Sequence, residues 1–207
     1  MFQLFRKRNE TRDLRLPPEL SKKDREKVEE IIRRAVEQNI QPIMHCNGDA
    51  AAQQFIDQWE AAVQAAGHGT ELRPIMVHAQ TVGFDQLDRM KALGMHPSFF
   101  VGHCWFWGDT HLKNFGDRGQ RISPVRAALD RGLTPNFHQD CPVTRPEMLH
   151  SIWCAVNRVT RNGVKIGPDQ AVTPMEAPNT TIPQRIQMES LIFRRKLTMI
   201  NAITPEK

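Results

Sequence analysis

The chain has 207 residues, 40% of them hydrophobic and 25% charged, which excludes disordered, collagen-like and long coiled-coil classes. Apolar runs such as Ile152 to Val156 are too short to span a bilayer, and the opening MFQLFRKRNETRDLR lacks the apolar core of a signal peptide, so the expectation is a cytoplasmic protein with no membrane partner. The net charge of +5 gathers largely in Arg6, Lys7, Arg8, Arg12 and Arg15 and in Arg194, Arg195 and Lys196; no basic stripe alternates with aromatics, and no nucleic-acid partner is expected.

Residues 1–20 show no clear period and close on Pro17-Pro18. Ser21, with Asp24 three residues on, predicts a helix start, and Val28, Ile31, Ile32, Ala35 and Val36 form its apolar face up to Asn39. Ile40 to Met44 reads as a buried strand stopping at His45. Asp49 is placed to cap a second helix, with Ala52, Phe55, Ile56, Trp59, Ala62 and Val63 on one face, broken by Gly67-His68-Gly69. Arg73 to Val77 is a strand ending at His78, and Phe84 to Leu93 a short helix closed by Gly94. Met95 to Val101 is a strand followed by an unusual loop, Gly102 to Asp109. Ser123-Pro124 opens a helix that ends at Gly132, Leu133 to Phe137 is a strand ending at His138-Gln139-Asp140, and a helix runs from about Glu147 to Thr160.

Strands alternating with helices at this spacing predict an α/β fold with a parallel sheet, either doubly wound or a (β/α)₈ barrel. Three strands end directly in His45, His78 and the His138/Asp140 pair, and the remaining one reaches His103 two residues later. In a parallel sheet these ends share one rim, the side on which barrels carry their chemistry. Imidazoles and a carboxylate on rigid strand ends are what a hydrolytic metal site requires, because they bind a divalent ion that acidifies water and polarises a carbonyl. Trp105, Phe106 and Trp107, beside His103 and Asp109, read equally well as core and as the wall of a substrate pocket. His68 reads as a solvent turn, His96 as packing, and His111 and His150 as helix-face residues. The cysteines Cys46, Cys104, Cys141 and Cys154 form no CxxC motif, so neither a disulfide framework nor a zinc ribbon is indicated. Cys46 and Cys141 adjoin rim residues, but strand alternation turns their thiols away from them.

The segments HCNGDAA (45–51), RPIMVHAQ (73–80), SFFVGHCWFWGD (98–109) and NFHQDCPV (136–143), with MLHSIWCAVNRVTRNG (148–163) and IGPDQAVTPMEA (166–177), together resemble one branch of the metal-dependent amidohydrolase superfamily. That branch is the amidohydrolase 3 group, which includes N-substituted formamide deformylases. The resemblance covers about Leu16 to Ala177 and implies a TIM barrel with a metal site at its C-terminal rim. It also implies hydrolysis of carbon–nitrogen bonds outside peptides, with small-molecule amides or formamides as substrates and a divalent metal, zinc in the first instance, as cofactor. On it, His45 and His78 are metal ligands and Asp140 is both ligand and catalytic proton carrier. His103 falls where that branch contacts substrate; Trp105, Trp107 and Asp109 beside it are expected to face substrate from the local aromatic cluster itself.

The family's first-strand His-x-His is absent from this sequence, since no two histidines stand two apart. The fourth-strand bridging ligand and strands one to four are absent as well. The expectation is therefore a partial barrel of about four C-terminal βα units over 21–177, between an irregular segment (1–20) and a divergent tail (178–207). Gln187 to Ile200 offers sparse apolar contacts for a helix in that tail. Thr173 and Glu176 make a capping box for the helix before it. Such a half-barrel would have unpaired sheet edges, which favour self-association or pairing with a separate N-terminal half. The alternatives to an enzyme fragment are a non-catalytic remnant and one subunit of a split enzyme.

Overall fold

The structure, a computed structural model, describes residues 22–179. The expectations for 1–20 and for the helix over 187–200 lie outside the described residues. Helix α1 (Lys22–Glu37) buries Ile32, Ala35 and Val36 and ends where Asn39 takes a left-handed φ of 53° and Ile40 N–H returns to the Ala35 carbonyl at 2.8 Å. This is the helix stop that an asparagine supplies in place of glycine.

Four strands follow: β1 (Ile43–Cys46), β2 (Ile75–His78), β3 (His96–Phe99) and β4 (Asn136–Phe137). All pair in parallel, in the order β1-β2-β3-β4. Each new strand adds to the same side of the last, whereas a doubly wound sheet reverses direction at a switch point. Each strand begins later than the apolar runs suggest, β3 by a single residue, and for the other three proline is the reason. Pro42, Pro74 and Pro135 stand immediately before β1, β2 and β4. Without an N–H they give the ladder only a carbonyl, as Pro42 does to Ile75 N–H at 2.9 Å and Pro74 to His96 N–H at 2.8 Å.

Helices α2 (Asp49–Ala66), α3 (Phe84–Ala92), α6 (Val125–Asp130) and α7 (Met148–Asn157) cover one face of the sheet. Between them and the strands lies the core, including Phe55, Trp59, Met76, Leu87, Met90, Phe99 and Phe137, all essentially buried. Trp59 satisfies its indole N–H on the Leu93 carbonyl at 3.1 Å, so its large apolar body is buried without an orphaned donor. The other face carries His45, Val77, Ser98 and Asn136 in successive strands, open to solvent at His45.

Three local expectations need correction. Asp49 is the first residue of α2 and not its cap; its carboxylate accepts from its neighbour's N–H (Ala50, 3.0 Å) and from Arg118 (2.7 Å). Ser123 does not cap α6: it is buried at a φ of 45°, with its hydroxyl 3.4 Å from Gln80 Oε1, and Pro124 holds the cap position. The stretch 102–109 is helical and not a loop. It forms α4 (His103–Phe106) and runs straight into α5 (Gly108–Phe115), kinked at Trp107. Gly108, just after the kink, lets α5 approach Thr160 closely, because a Cβ there would lie 2.6 Å from Thr160 Cγ2. The capping box on the final described helix, α8 (Glu176–Asn179), is present: Thr173 N–H donates to Glu176 Oε2 at 2.8 Å, and Glu176 N–H to Thr173 Oγ1 at 3.3 Å.

Gly94 after α3 is the position where the fold most needs a glycine. Its φ is 67°, and a Cβ would stand 2.2 Å from the Thr70 carbonyl oxygen. Gly94→Ala is expected to lower the unfolding free energy by more than about 1 kcal/mol, since an unsuitable φ alone costs that much. A lower urea midpoint at unchanged slope would register it; an unchanged midpoint would contradict the fold description at this turn.

Candidate metal centre

The open face ends in a row of histidines. His45 projects from β1, His78 closes β2, His138 follows β4, and His103 opens α4. The His45 and His78 ring centroids are 4.5 Å apart, His78 and His138 4.8 Å, and His78 and His103 6.3 Å. Asp140 Oδ2 lies 4.0 Å from His78 Nε2. In the ladder His78 stands opposite Cys46, whose side chain enters the core, yet its ring meets His45. The backbone explains this: His78 has a φ of 69°, which breaks strand alternation at its last residue. Ala79 (φ 45°) and Asp140 (φ 53°) share this unfavoured conformation. Such strain in non-glycine residues gathers at functional sites.

His78 lies at the centre of the row and is only 2% exposed. Both its ring nitrogens, and Nε2 of His138, are buried without a hydrogen-bond partner among the described residues. Burial lowers the pKa of His78, the charge of His45 adds to the effect, and Asp140 opposes it. Burial also pushes His138 down to about 3, helped by His78 and His45. His103 falls to about 3 by burial and the neighbouring histidines, of which His111 acts most strongly. At neutral pH these imidazoles are uncharged, the form that ligates metal. The donors therefore suit a divalent cation in kind. They do not complete a site in number, because no three His, Cys, Asp or Glu side chains among the described residues converge on one ion position.

The remaining residues singled out from sequence sit around this row. Trp107 packs against His103 at 4.8 Å and Phe100 at 5.8 Å. Trp105 turns to the other side of α4, against Trp153 at 5.2 Å and His150 at 6.1 Å, and so is not brought to the histidine row. Asp109 Oδ1 accepts from Thr160 Oγ1 at 2.8 Å and ties α5 to the segment after α7. Cys46 is buried and its thiol is pushed up to about 12, which removes it as a nucleophile, while Cys141 is exposed.

Two histidines at or beside the row were given no site role from sequence. His138 reads as a strand end together with Asp140, but only Asp140 was assigned as a ligand; the alternation Asn136–His138 at the end of β4 could have assigned both. His111, read as a helix-face residue, is hydrogen-bonded to His103 between Nε2 and Nδ1 at 3.0 Å. The kink at Trp107 brings them together, and nothing in the local spacing announces it.

A sequence profile described as the Amidohydrolase family matches residues 7–181. The chain belongs to the amidohydrolase family. This amidohydrolase chain is 30% identical over 152 residues to an N-substituted formamide deformylase from Arthrobacter pascens; the match takes in 72% of the chain but only 28% of that relative. Two crystal structures of uncharacterized metal-dependent hydrolases share its fold. One, from Pyrococcus furiosus, matches with a TM-score of 0.59 at 24% identity, over 74% of this chain and 30% of that one. The other, from Pyrococcus horikoshii OT3, matches with a TM-score of 0.63 at 21% identity, over 75% and 31%. The amidohydrolase chain thus spans under a third of the length of each of these relatives. Among its described residues no helix is long and apolar enough to cross a membrane.

Proposed function

We propose that this chain supplies part of the metal centre of a hydrolase acting on carbon–nitrogen bonds outside peptides, amides or formamides in particular. The observation that carries the reading is His78, whose two ring nitrogens are buried and unpartnered beside the His45 ring at 4.5 Å and the Asp140 carboxylate at 4.0 Å. Family membership supports the hydrolase class, and the name of the Arthrobacter pascens relative supports formamides among the substrates. The names of the two Pyrococcus structures support a metal. Four parallel strands added in chain order support a sector of a barrel.

His45 and His78 would hold the ion, zinc in the first instance, with Asp140 as a further donor. When bound, such an ion acidifies water and polarises a carbonyl. Asp140 takes the proton of the attacking water on its carboxylate and returns it to the nitrogen of the leaving amine. His103 and Trp107 border the substrate and limit its access to bulk water, and Trp105 and Asp109 hold that wall from behind. A second polypeptide or a second copy of the chain completes the barrel, and the cytoplasm is the compartment.

A specific observation favours a non-catalytic reading of the chain by itself. No three donors converge among the described residues, and the sequence holds no His-x-His pair. The purified chain is accordingly expected to bind zinc weakly and to turn over N-formyl and N-acyl amines more slowly than about 1 s⁻¹, the low end for enzymes. His78→Ala is expected to weaken zinc binding a further ~10-fold or more. Zinc affinity indifferent to both His45→Ala and His78→Ala would refute the metal centre. Tight stoichiometric zinc with full turnover, lost in Asp140→Asn, would refute the dependence on further donors.

A further inference from the structure

Beside the histidine row lies an open groove of about 410 Å³ whose walls include Phe106, Trp107, Arg145, Glu147, His150 and Arg161. We propose that this groove binds a planar aromatic carboxylate. Its volume falls within the range of about 300–1,000 Å³ typical of small-molecule sites. Its floor is aromatic. Phe106 lies 5.5 Å from Trp107 and 5.4 Å from His150, both rings inclined to its own, so three ring faces and edges line one space. A flat ring entering there finds the offset and edge-on contacts that aromatic systems favour.

The charge at the mouth sets the rest of the ligand. Arg145 and Arg161 are both exposed, and neither has an ion pair with the described residues. Arg33, Arg34, Arg89, Arg118, Arg126 and Arg131 each pair with a carboxylate of the chain; Arg73 and Arg121 are exposed and without such a pair among the described residues too, but they do not line the groove. Arg161 instead lies over the Phe106 ring, its guanidinium carbon 5.2 Å from the centroid. That contact holds the guanidinium over the groove floor and leaves its hydrogen-bond donors free. Glu147 is the single acid in the lining, so two guanidinium groups outweigh one carboxylate. A guanidinium fork recognises a planar carboxylate through two parallel hydrogen bonds, which a neutral or cationic ligand would leave unused.

The groove is joined to the histidine row by one side chain. Trp107 lines the groove on one side and packs on His103 at 4.8 Å on the other. A ligand whose carboxylate meets the arginines while its ring rests on Phe106 and His150 therefore abuts the wall of the candidate centre. The binding itself requires no metal, so it stands or falls apart from the hydrolase reading.

The test is a titration of the full chain, in chelator, with 2-naphthoate and with its neutral isostere 2-naphthamide, following the indole N–H resonance of Trp107. Naphthoate is expected to bind ~10-fold tighter than naphthamide, with an affinity that falls as salt rises. Arg145→Ala and Arg161→Ala are each expected to weaken naphthoate ~10-fold while leaving naphthamide unchanged. Arg161→Lys keeps the charge without the fork and should fall between. Glu147→Gln should tighten naphthoate. All three positions are on the surface, and unchanged urea midpoints would establish that the four variants are folded. Equal affinity for the two probes, or naphthoate binding that ignores both arginine substitutions, would overturn the proposal. A response confined to resonances away from Trp107 would overturn it as well.

Discussion

Replacing Arg158 with methionine is expected to cost about 3 kcal/mol of stability or more, because it leaves three buried carbonyls without a donor at about 1–3 kcal/mol each. Arg158 is wholly buried, yet it pairs with no carboxylate among the described residues. Its guanidinium is held by three carbonyls: Nε donates to Ile166 at 2.9 Å, Nη1 to Ser123 at 3.0 Å and Nη2 to Ile122 at 2.8 Å. Its own carbonyl accepts from Ile166 N–H at 2.9 Å, and its φ of 49° ends α7. One side chain thus fastens the end of α7, the entry to α6 and the segment at 166. Methionine keeps most of the volume, so no large cavity adds to the loss. What remains is three carbonyls stripped of donors, each worth about 1–3 kcal/mol when left unsatisfied. Arg158→Lys should recover only part, because one ammonium cannot reach three acceptors set around a planar fork. Urea unfolding followed by tryptophan fluorescence measures both variants. A loss below about 1 kcal/mol for methionine would show that the carbonyls find other donors, and that Arg158 is not the fastening described.

The helices were legible from sequence because their apolar faces repeat at helical spacing. Ile32, Val36, Phe55, Ile56 and Trp59, read as inward-facing, are all buried. Strands were legible in kind and mistaken in extent, because an apolar run such as Ile40 to Met44 carries no sign that Pro42 withholds a ladder donor. The histidines at strand ends were legible for the opposite reason: a polar residue closing an apolar run stands out. What sequence does not display is a backbone that leaves the period. The left-handed φ of His78 sends its ring to the His45 side, and the kink at Trp107 folds a presumed loop into two helices and joins His111 to His103. Buried polar fastenings are equally hidden. Nothing in the run AVNRVT distinguishes Arg158, with three carbonyls on its guanidinium, from the exposed Arg161 a turn later.

The histidine row should also make the fold acid-sensitive well above the range in which carboxylates titrate. Burial holds His103 and His138 at about 3, against an ordinary value of 6.5, and lowers His78 and His111 in the same direction. A group with a lowered folded-state pKa is neutral in the folded chain while the unfolded chain already binds its proton. Protons therefore favour unfolding between the two values, and stability present above pH 6.5 is lost as pH falls toward 3. Each such histidine contributes a slope of about 1.4 kcal/mol per pH unit inside that window, and two together give up to about 2.7. With a typical domain stability of about 5–15 kcal/mol, the metal-free chain should unfold well before pH 3. Between pH 6.5 and 5 the unfolded carboxylates remain ionised, so the slope there belongs to histidine; the Glu176 carboxyl, held at about 2 first by Arg126, adds to the loss only below its ordinary 4.5. Urea midpoints measured in chelator at steps from pH 7.5 to 4.5 test this. His103→Gln and His138→Asn remove one titrating group each and should flatten the slope separately, whatever they do to stability at pH 7.5. A wild-type midpoint level from 6.5 to 5, or a slope unchanged in both variants, would mean that the imidazoles take up protons in the folded chain, and that the row is wetter than its burial indicates.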